Sequence, residues 1–287
     1  MIAVLRHELR SAFNSLTIYL FSAALLAFVG IGAALYNIEA SVAGFEHVLS
    51  FVSIGLVVII PVLTMRSFAE ERRQKTDQLL YSLPLSTWQI VGGKYLALVL
   101  LFLVPMLIVA LYPYVFSQYG ELYLPGSYGA MLAFLMLGAA LIAVGMFLSS
   151  LTDSQGLAAG SAIALFLFNY FSVSLAEQVS STALGAALAL CAAAVLVGLI
   201  VRALTKSCAI ACGVGGVLLA LVAAVYLFSD ESLESLLPDL MRKLSLFSRF
   251  STIVSGVFDL TVLVFYGSVI ALGLFLTVQS LEKRRYN

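Results

Sequence analysis

The stretch that decides the fold is residues 95–116, YLALVLLFLVPMLIVALYPYVF, which contain no charged side chain. This run is long enough to cross a hydrocarbon layer about 30 Å thick, because a transmembrane helix needs about 20 apolar residues. Similar runs recur and predict about eight transmembrane helices, at 17–36, 49–66, 95–116, 129–149, 156–174, 183–203, 208–228 and 260–280. The pattern therefore predicts an all-α, polytopic membrane helical bundle that forms a single domain over residues 1–287.

The composition places the chain outside the range of soluble globular proteins. Hydrophobic residues make up 62% of the 287 residues and charged residues 10%, with a mean hydropathy of +1.08. Soluble domains are about 45–50% apolar and about 25% charged. The formal net charge is zero and no basic stretch carries interleaved aromatic residues, so we expect no nucleic-acid partner. The expected surroundings are a lipid bilayer.

Three cysteines, Cys191, Cys208 and Cys212, lie inside apolar runs, and this odd number argues against a disulfide framework. Cys208 and Cys212 share a helix face and offer two ligands for a metal ion. The neighbouring sequence has no His or carboxylate to complete four ligands. We therefore favour a role as small packing residues and expect no metal site.

The basic residues predict the orientation, because cytoplasmic loops are enriched in lysine and arginine. With the N-terminus inside, only Arg242, Lys243 and Arg249 fall on the outer side. Twelve of the fifteen basic residues are then cytoplasmic: Arg6, Arg10, Arg66, Arg72, Arg73, Lys75, Lys94, Arg202, Lys206, Lys283, Arg284 and Arg285. This bias and an even number of spans predict that both termini are cytoplasmic.

Residues 1–16 precede the first span and have the pattern of an amphipathic helix. Leu5, Leu9, Ala12 and Leu16 follow helical spacing, which is typical of a helix lying in the membrane interface. The alternative is a signal peptide, since a basic start precedes an apolar run. The run continues to Leu35, which is long for a cleaved segment and favours a retained span.

Two polar segments fall on the predicted cytoplasmic side. The longer, residues 66–94, contains a short apolar face that Pro84 ends and a Ser86/Gln89 pair with capping-box spacing. The shorter, residues 151–155, is a tight turn. A 29-residue connector is longer than joining two helices requires, which indicates a docking surface, although a solvated connector is the simpler alternative.

The only sizeable segment on the predicted outer side is residues 229–259. An amphipathic helix, or a pair of short helices, is predicted there by Leu236, Leu240, Leu244, Phe247 and Phe250. The segment suits either a gate or simple packing on the membrane surface.

The residues that catalysis or ion coupling would need are missing from the predicted spans. No Asp, Glu, Lys, Arg or His falls in the middle of a span, which argues against an ion-coupled transporter. His7 and His47 lie at opposite membrane boundaries, so no Ser–His pair is available at depth. Gly92-Gly93-Lys94 lacks the spacing of a phosphate-binding loop. We therefore expect a non-enzymatic chain that binds no cofactor itself.

Several motifs together resemble the ABC-2 type transporter permeases. They are TMRSFAEERR (64–73), TDQLL (76–80), LPLS (83–86), IVGGK (90–94), SLTDSQ (150–155), LSLFSRF (244–250), GVFDL (256–260) and LEKRR (281–285). The likeness is strongest to the gliding-motility and nitrous-oxide-reductase-maturation branch. Two departures are Lys75, where the family often has glycine, and the runs at 183–228, which exceed the six-span core common in the superfamily.

The resemblance implies an exporter permease in the bacterial inner membrane, driven by a separate ABC ATPase dimer that binds ATP and magnesium. A second, identical permease copy and an auxiliary or periplasmic protein are further implied partners. The residues expected to couple to the ATPase are Glu70, Glu71, Arg72, Arg73, Asp77, Leu79, Leu80, Leu83 and Pro84. The second cytoplasmic turn would contribute Thr152, Asp153 and Gln155.

Two other functions remain open from the sequence. In the first, ATP-driven motion acts on an outer-side protein through residues 229–259 without moving a substrate. In the second, the chain is an ATP-independent channel or membrane scaffold. The chemical nature of a transported substrate does not follow from any of these residues.

Overall fold

The computed structural model describes residues 1–40, 42, 44–74, 86–119, 123–179, 238–256 and 259–285, and every regular element in them is a helix. A π-helical stretch, Ala34–Glu39, extends the second helix. The helices are α1 (Ile2–Phe13), α2 (Leu16–Ala33), α3 (Glu46–Thr64), α4 (Arg66–Arg73), α5 (Thr87–Val109), α6 (Leu111–Phe116), α7 (Leu124–Leu151), α8 (Gln155–Val179), α9 (residues 238–244), α10 (Leu246–Val254) and α11 (Leu260–Arg285).

Six helical stretches in the described part of the chain are long and apolar enough to cross a membrane. They are Leu16–Glu39, Glu46–Arg73, Thr87–Phe116, Leu124–Leu151, Gln155–Gln178 and Leu260–Lys283. These correspond to the first five predicted spans and to the last one. The remaining pair, 183–203 and 208–228, lies outside the described residues, so the total of eight stays a prediction.

The α5 helix begins well before the apolar run that predicted it. Its N-cap is Ser86, whose hydroxyl accepts a hydrogen bond from the Gln89 backbone N–H while the Gln89 side chain accepts one from the Ser86 N–H. The predicted capping box is therefore confirmed. Because this cap starts the helix among polar residues, hydropathy alone locates only its apolar part, from residue 95 onward.

The chain divides into two compact units, and Met1–Leu167 with Arg249–Asn287 form the first. At its centre α7 packs against α3 and α11. Small residues permit this packing: a Cβ on Gly273 of α11 would lie 3.1 Å from the Ala143 Cβ of α7. Phe102 of α5 lies against Phe21 and Phe134, with ring centroids 6.3 Å away in each case. The single domain over 1–287 stays a prediction.

The second unit comprises Phe168–Ser248. Here Asn169 stabilises the break between α9 and α10: its Oδ1 accepts from the Leu246 N–H at 3.0 Å, and its backbone carbonyl accepts from the Ser245 hydroxyl at 3.2 Å. Arg242 forms an ion pair with Glu177, with Nη2 and Oε1 2.5 Å apart. Of the two alternatives predicted for residues 229–259, the described part is a pair of short helices.

The N-terminal helix α1 ends at Phe13, earlier than predicted. Its less exposed residues are Val4, Leu5, Glu8, Leu9 and Ala12. Leu16 does not continue this stripe, because Ser15 caps the next helix and Leu16 is 81% exposed. The location of α1 in a membrane interface stays a prediction.

Before α11, the Asp259 carboxylate accepts hydrogen bonds from the hydroxyl and the backbone N–H of Thr261. These bonds favour the ionised carboxylate and hold the pKa of Asp259 below its usual value. The helix thus begins at a side-chain cap.

Candidate functional site

A buried lysine joins three helices at one end of the first unit. Lys94, on α5, has a side chain only 2% exposed, and its Nζ lies 2.6 Å from Glu8 Oε1 of α1 and 2.6 Å from Glu71 Oε1 of α4. The same ammonium lies 5.4 Å from the ring centroid of Phe68. Burial of an unpaired charge would be costly, and here two carboxylates compensate one cation. We call Glu8, Glu71 and Lys94 the lysine cluster.

A glycine beside Lys94 lets α1 approach α5 closely enough for these bonds. A Cβ on Gly93 would lie 3.1 Å from the Val4 Cβ and 3.2 Å from the Met1 carbonyl oxygen. Those separations are shorter than ordinary van der Waals contact. The Gly93-Lys94 dipeptide therefore supplies both the space for α1 and the cation that binds it.

A buried serine joins α4 to α7. The Ser149 hydroxyl donates to the Met65 carbonyl at 3.1 Å and accepts from the backbone N–H groups of Phe68 and Ala69 at 3.3 and 3.2 Å. These three groups lie at the turn at Met65, where α3 ends and α4 begins. The Ser149 hydroxyl bonds to all three and thereby fixes the position of α4 against α7.

A third connection runs from α4 to the turn that follows α7. Arg72 Nη1 lies 3.8 Å from Asp153 Oδ1, with the arginine side chain 3% exposed and the aspartate 68% exposed. This separation is an ion pair and is too long for a hydrogen bond. The predicted second turn is therefore adjacent to the last turn of α4.

The ends of several segments of the first unit lie together. The α1 helix packs on α5 near Gly93, and α4 contacts both α5 and the turn at Asp153. Near the C-terminus, the Ser280 hydroxyl donates to the Ser150 carbonyl at 3.2 Å. The N-terminal helix, α4, the 152–154 turn and the last part of α11 thus share one end of the unit.

The structure brings together part of the predicted coupling set. Glu71, Arg72 and Asp153 form the contacts above, Glu70 pairs with Arg66 of the same helix at 3.9 Å, and Arg73 is exposed. Thr152 is the C-cap of α7, and Gln155 begins α8. The remaining predicted residues lie outside the described part of the chain, namely Asp77, Leu79, Leu80, Leu83 and Pro84.

Sequence reasoning did not select Glu8, Lys94 or Ser149 as site residues. Glu8 follows Leu5 by three residues and so lies on the apolar stripe of α1, which is the one signal that pointed to a buried partner. Lys94 lies 86 residues away in the sequence, and no local pattern pairs the two. Within the described residues no group of three or more metal-ligating side chains occurs, and Cys208 and Cys212 are not among those residues.

Comparison with protein families identifies the membrane domain. Residues 11–184, well over half of the chain, match the model of the ABC-2 family transporter proteins. No curated protein matches the chain. The match and the six candidate spans indicate an integral membrane permease subunit, and the family implies an ABC ATPase partner. The chain therefore belongs to the ABC-2 transporter family.

Proposed function

We propose that this chain is the permease of an exporter-type ABC transporter in the gliding-motility and nitrous-oxide-reductase-maturation branch, driven by a separate ATPase dimer through residues 66–94. The observation that carries the proposal is that α4, at the start of this segment, is connected to four other parts of the first unit. These are α5 and α1 through Lys94, α7 through Ser149, and the turn at Asp153 through Arg72.

These contacts suit the transmission of a displacement. A packed helix moves with the groups to which it is bonded, and buried ion pairs and hydrogen bonds allow discrete rearrangements instead of gradual stretching. A push on residues 75–85 would therefore displace α4 and, with it, the cluster of helix ends. The spans would rock between inward-facing and outward-facing states as ATP binds and is hydrolysed.

The proposal includes the location and the assembly. Both termini and the two connectors described above would face the cytoplasm of a bacterium, with the chain in the inner membrane. Support comes from the shared end occupied by α1, α4, the 152–154 turn and the last part of α11. Two identical permeases would match the two ATPase subunits.

The docking part of the proposal is tested by a charge placed on the apolar face of residues 79–83. Leu79→Asp and Leu80→Asp should abolish co-purification of the ATPase, because a carboxylate cannot enter an apolar groove without a partner. Gln78→Asp, which adds the same charge to the same segment, is the matched control. Undiminished association of the two leucine variants would contradict the proposal.

The coupling part is tested by two neighbouring glutamates with different partners. Glu71 pairs across helices with Lys94, whereas Glu70 pairs within its own helix with Arg66. Glu71→Gln should retain the ATPase but lose the ATP-dependent change in mobility of a spin label at position 111, the first residue of α6, which follows the far end of α5. Glu70→Gln should retain both. Cys191, Cys208 and Cys212 are replaced by alanine in all labelled proteins.

The two variants distinguish coupling from simple charge loss, because each removes one carboxylate from the same helix. Equal label responses to ATP in the Glu70→Gln and Glu71→Gln proteins would contradict transmission through Lys94.

A further inference from the structure

A cavity of about 880 Å³ lies next to the lysine cluster, among α1, the start of α2, the junction of α3 and α4, and α5. The described residues that line it all belong to the first unit. Its volume is within the range of about 300–1,000 Å³ typical of small-molecule sites. The coupling contacts described above do not require such a space.

One part of the cavity is apolar. Its wall contains Ile18, Leu63, Leu98 and Leu101. Leu101 lies seven residues beyond Lys94 on α5, so the wall extends about 10 Å along the helix from the charged cluster. A hydrocarbon chain would fit along this part better than a polar solute would.

The other part is charged. Among the described residues, the carboxylates of Glu8, Glu70 and Glu71 line it together with His7 and two cations, Arg66 and Lys94, and Arg66 pairs with Glu70. The ammonium of Lys94 is enclosed, whereas the side chains of Glu8 and Glu71 are 26% and 23% exposed. A ligand entering the cavity would therefore meet carboxylate oxygens before it met the lysine.

The hydroxyl groups of Ser11, Ser15 and Thr17 also line this cavity. Their oxygens are hydrogen-bond acceptors, as are the carboxylates.

We propose that this cavity binds an amphiphile whose head carries a positively charged amine. The ammonium would lie by Glu8 and Glu71, and the hydrocarbon chain would follow Leu98 and Leu101. An ammonium donates three hydrogen bonds and has no acceptor, which matches a wall of carboxylate and hydroxyl oxygens. The inference names a ligand class for the permease proposed above, but its test measures binding alone and does not depend on ATP-driven coupling.

Binding is measured by native mass spectrometry of the full-length protein released from a neutral detergent. The probes are dodecylamine, dodecanol, and the lauroyl lyso-lipids with phosphoethanolamine and phosphoglycerol heads. We expect the two amine probes to bind about tenfold or more tightly than the probes of equal chain length that lack the amine. Tighter binding of the lyso-lipid identifies a membrane lipid as the source, and tighter binding of dodecylamine identifies a small cationic amphiphile.

Variants connect the binding to this cavity. Glu8→Gln retains the Glu71–Lys94 pair but removes one carboxylate charge, and it should weaken amine binding about tenfold. Its control is Glu177→Gln, in the second unit. Leu101→Trp should prevent binding by filling the apolar part, whereas Leu107→Trp, at a position 61% exposed on the same helix, should not.

The inference is overturned if dodecanol binds as tightly as dodecylamine, or if amine binding is unchanged by Glu8→Gln. The probe comparison uses the unmodified protein, so it decides the matter even if the tryptophan variant does not fold.

Discussion

Two ion pairs in this protein have almost the same length and very different surroundings. In the first unit, Lys94 lies 2.6 Å from each of two carboxylates and its side chain is 2% exposed. In the second unit, Arg242 lies 2.5 Å from Glu177, and the two side chains are 56% and 50% exposed. The distance between two charges therefore does not measure how much their pair contributes to stability, because water screens the exposed pair and cannot reach the buried ammonium.

The physical reason is the cost of what remains after one partner is removed. An exposed partner left behind is hydrated, so a surface pair contributes about 0–1 kcal/mol. A buried charge left behind has no replacement for its partner, and breaking such a pair costs about 3–5 kcal/mol. The lysine cluster should therefore govern the stability of its region, while the Arg242 pair should have little influence.

The largest expected effect is that of Lys94→Met. Two carboxylates that share one cation would be left close together, and we expect a loss of about 3–5 kcal/mol in the free energy of unfolding. Thermal unfolding in detergent measures the loss, with Arg242→Met as the matched control. Adding Glu8→Gln and Glu71→Gln should restore part of the stability, because the like charges are then gone. Equal losses of stability for Lys94→Met and Arg242→Met would contradict the claim that the buried pair contributes more than the exposed pair.

The next largest loss of stability is expected for Ser149→Ala. This substitution tests whether burial also increases the contribution of hydrogen bonds between uncharged groups. The substitution removes the hydrogen bonds that two backbone N–H groups and one carbonyl make to the Ser149 hydroxyl, and we expect a loss of about 1–3 kcal/mol in the free energy of unfolding. Ser161→Ala is the control, since its hydroxyl donates only to Ala158 of its own helix. The melting temperatures of the two variants give the result, and indistinguishable values would contradict a role for Ser149 in fixing α4.

A smaller effect is expected from Gly145→Ala, which tests the packing of α7 against α3 without any charge. A Cβ at this position would lie 2.5 Å from the Thr64 Oγ1, so the helices must separate, at a cost of about 1 kcal/mol or more. At Gly160 no atom lies within 4 Å of such a Cβ, and Gly160→Ala should not destabilise the protein. Comparison of the two melting temperatures tests the expectation, and a loss at position 160 as large as that at 145 would contradict it.

The smallest effect is that of Arg242→Ala. We expect a change of about 0.5 kcal/mol or less in low salt and none in high salt, because a Debye length of about 3 Å at 1 M screens exposed charges. The effect of Lys94→Met should be the same in both conditions. Melting temperatures at two salt concentrations sharpen the comparison, and a salt-independent loss at Arg242 would show that this pair is more enclosed than its exposure indicates.

Prediction from the sequence was accurate where the signal is local. The apolar runs located the six candidate spans of the described chain, since burial in lipid requires continuous apolar stretches. The Ser86/Gln89 spacing predicted the cap of α5, because both partners lie within one helical turn. Leu16 was assigned wrongly to the α1 stripe, since helical spacing alone does not reveal that Ser15 begins a new helix.

Prediction was incomplete where the partners are distant in the chain. Glu71, Arg72 and Asp153 were selected from the resemblance, but the pairing of Arg72 with Asp153 was not predicted, and Lys94, the partner of Glu71, was not selected. Ser149 was not selected at all, because its role depends on the turn at Met65, about 84 residues away. The docking residues Asp77, Leu79, Leu80, Leu83 and Pro84 remain predictions.

By itself, the sequence determined that this chain is a helical membrane protein and where its described spans lie, because the cost of exposing polar groups to lipid leaves few alternatives to long apolar helices. Only the tertiary structure decided which polar residues at the helix ends meet. In the sequence, Lys94 is the last residue of the polar segment 66–94 and looks like an exposed connector residue. In the structure, close packing at Gly93 brings α1 over Lys94 and encloses its charge. Burial depends on how the helices assemble, and it makes Lys94 the residue that joins α1, α4 and α5.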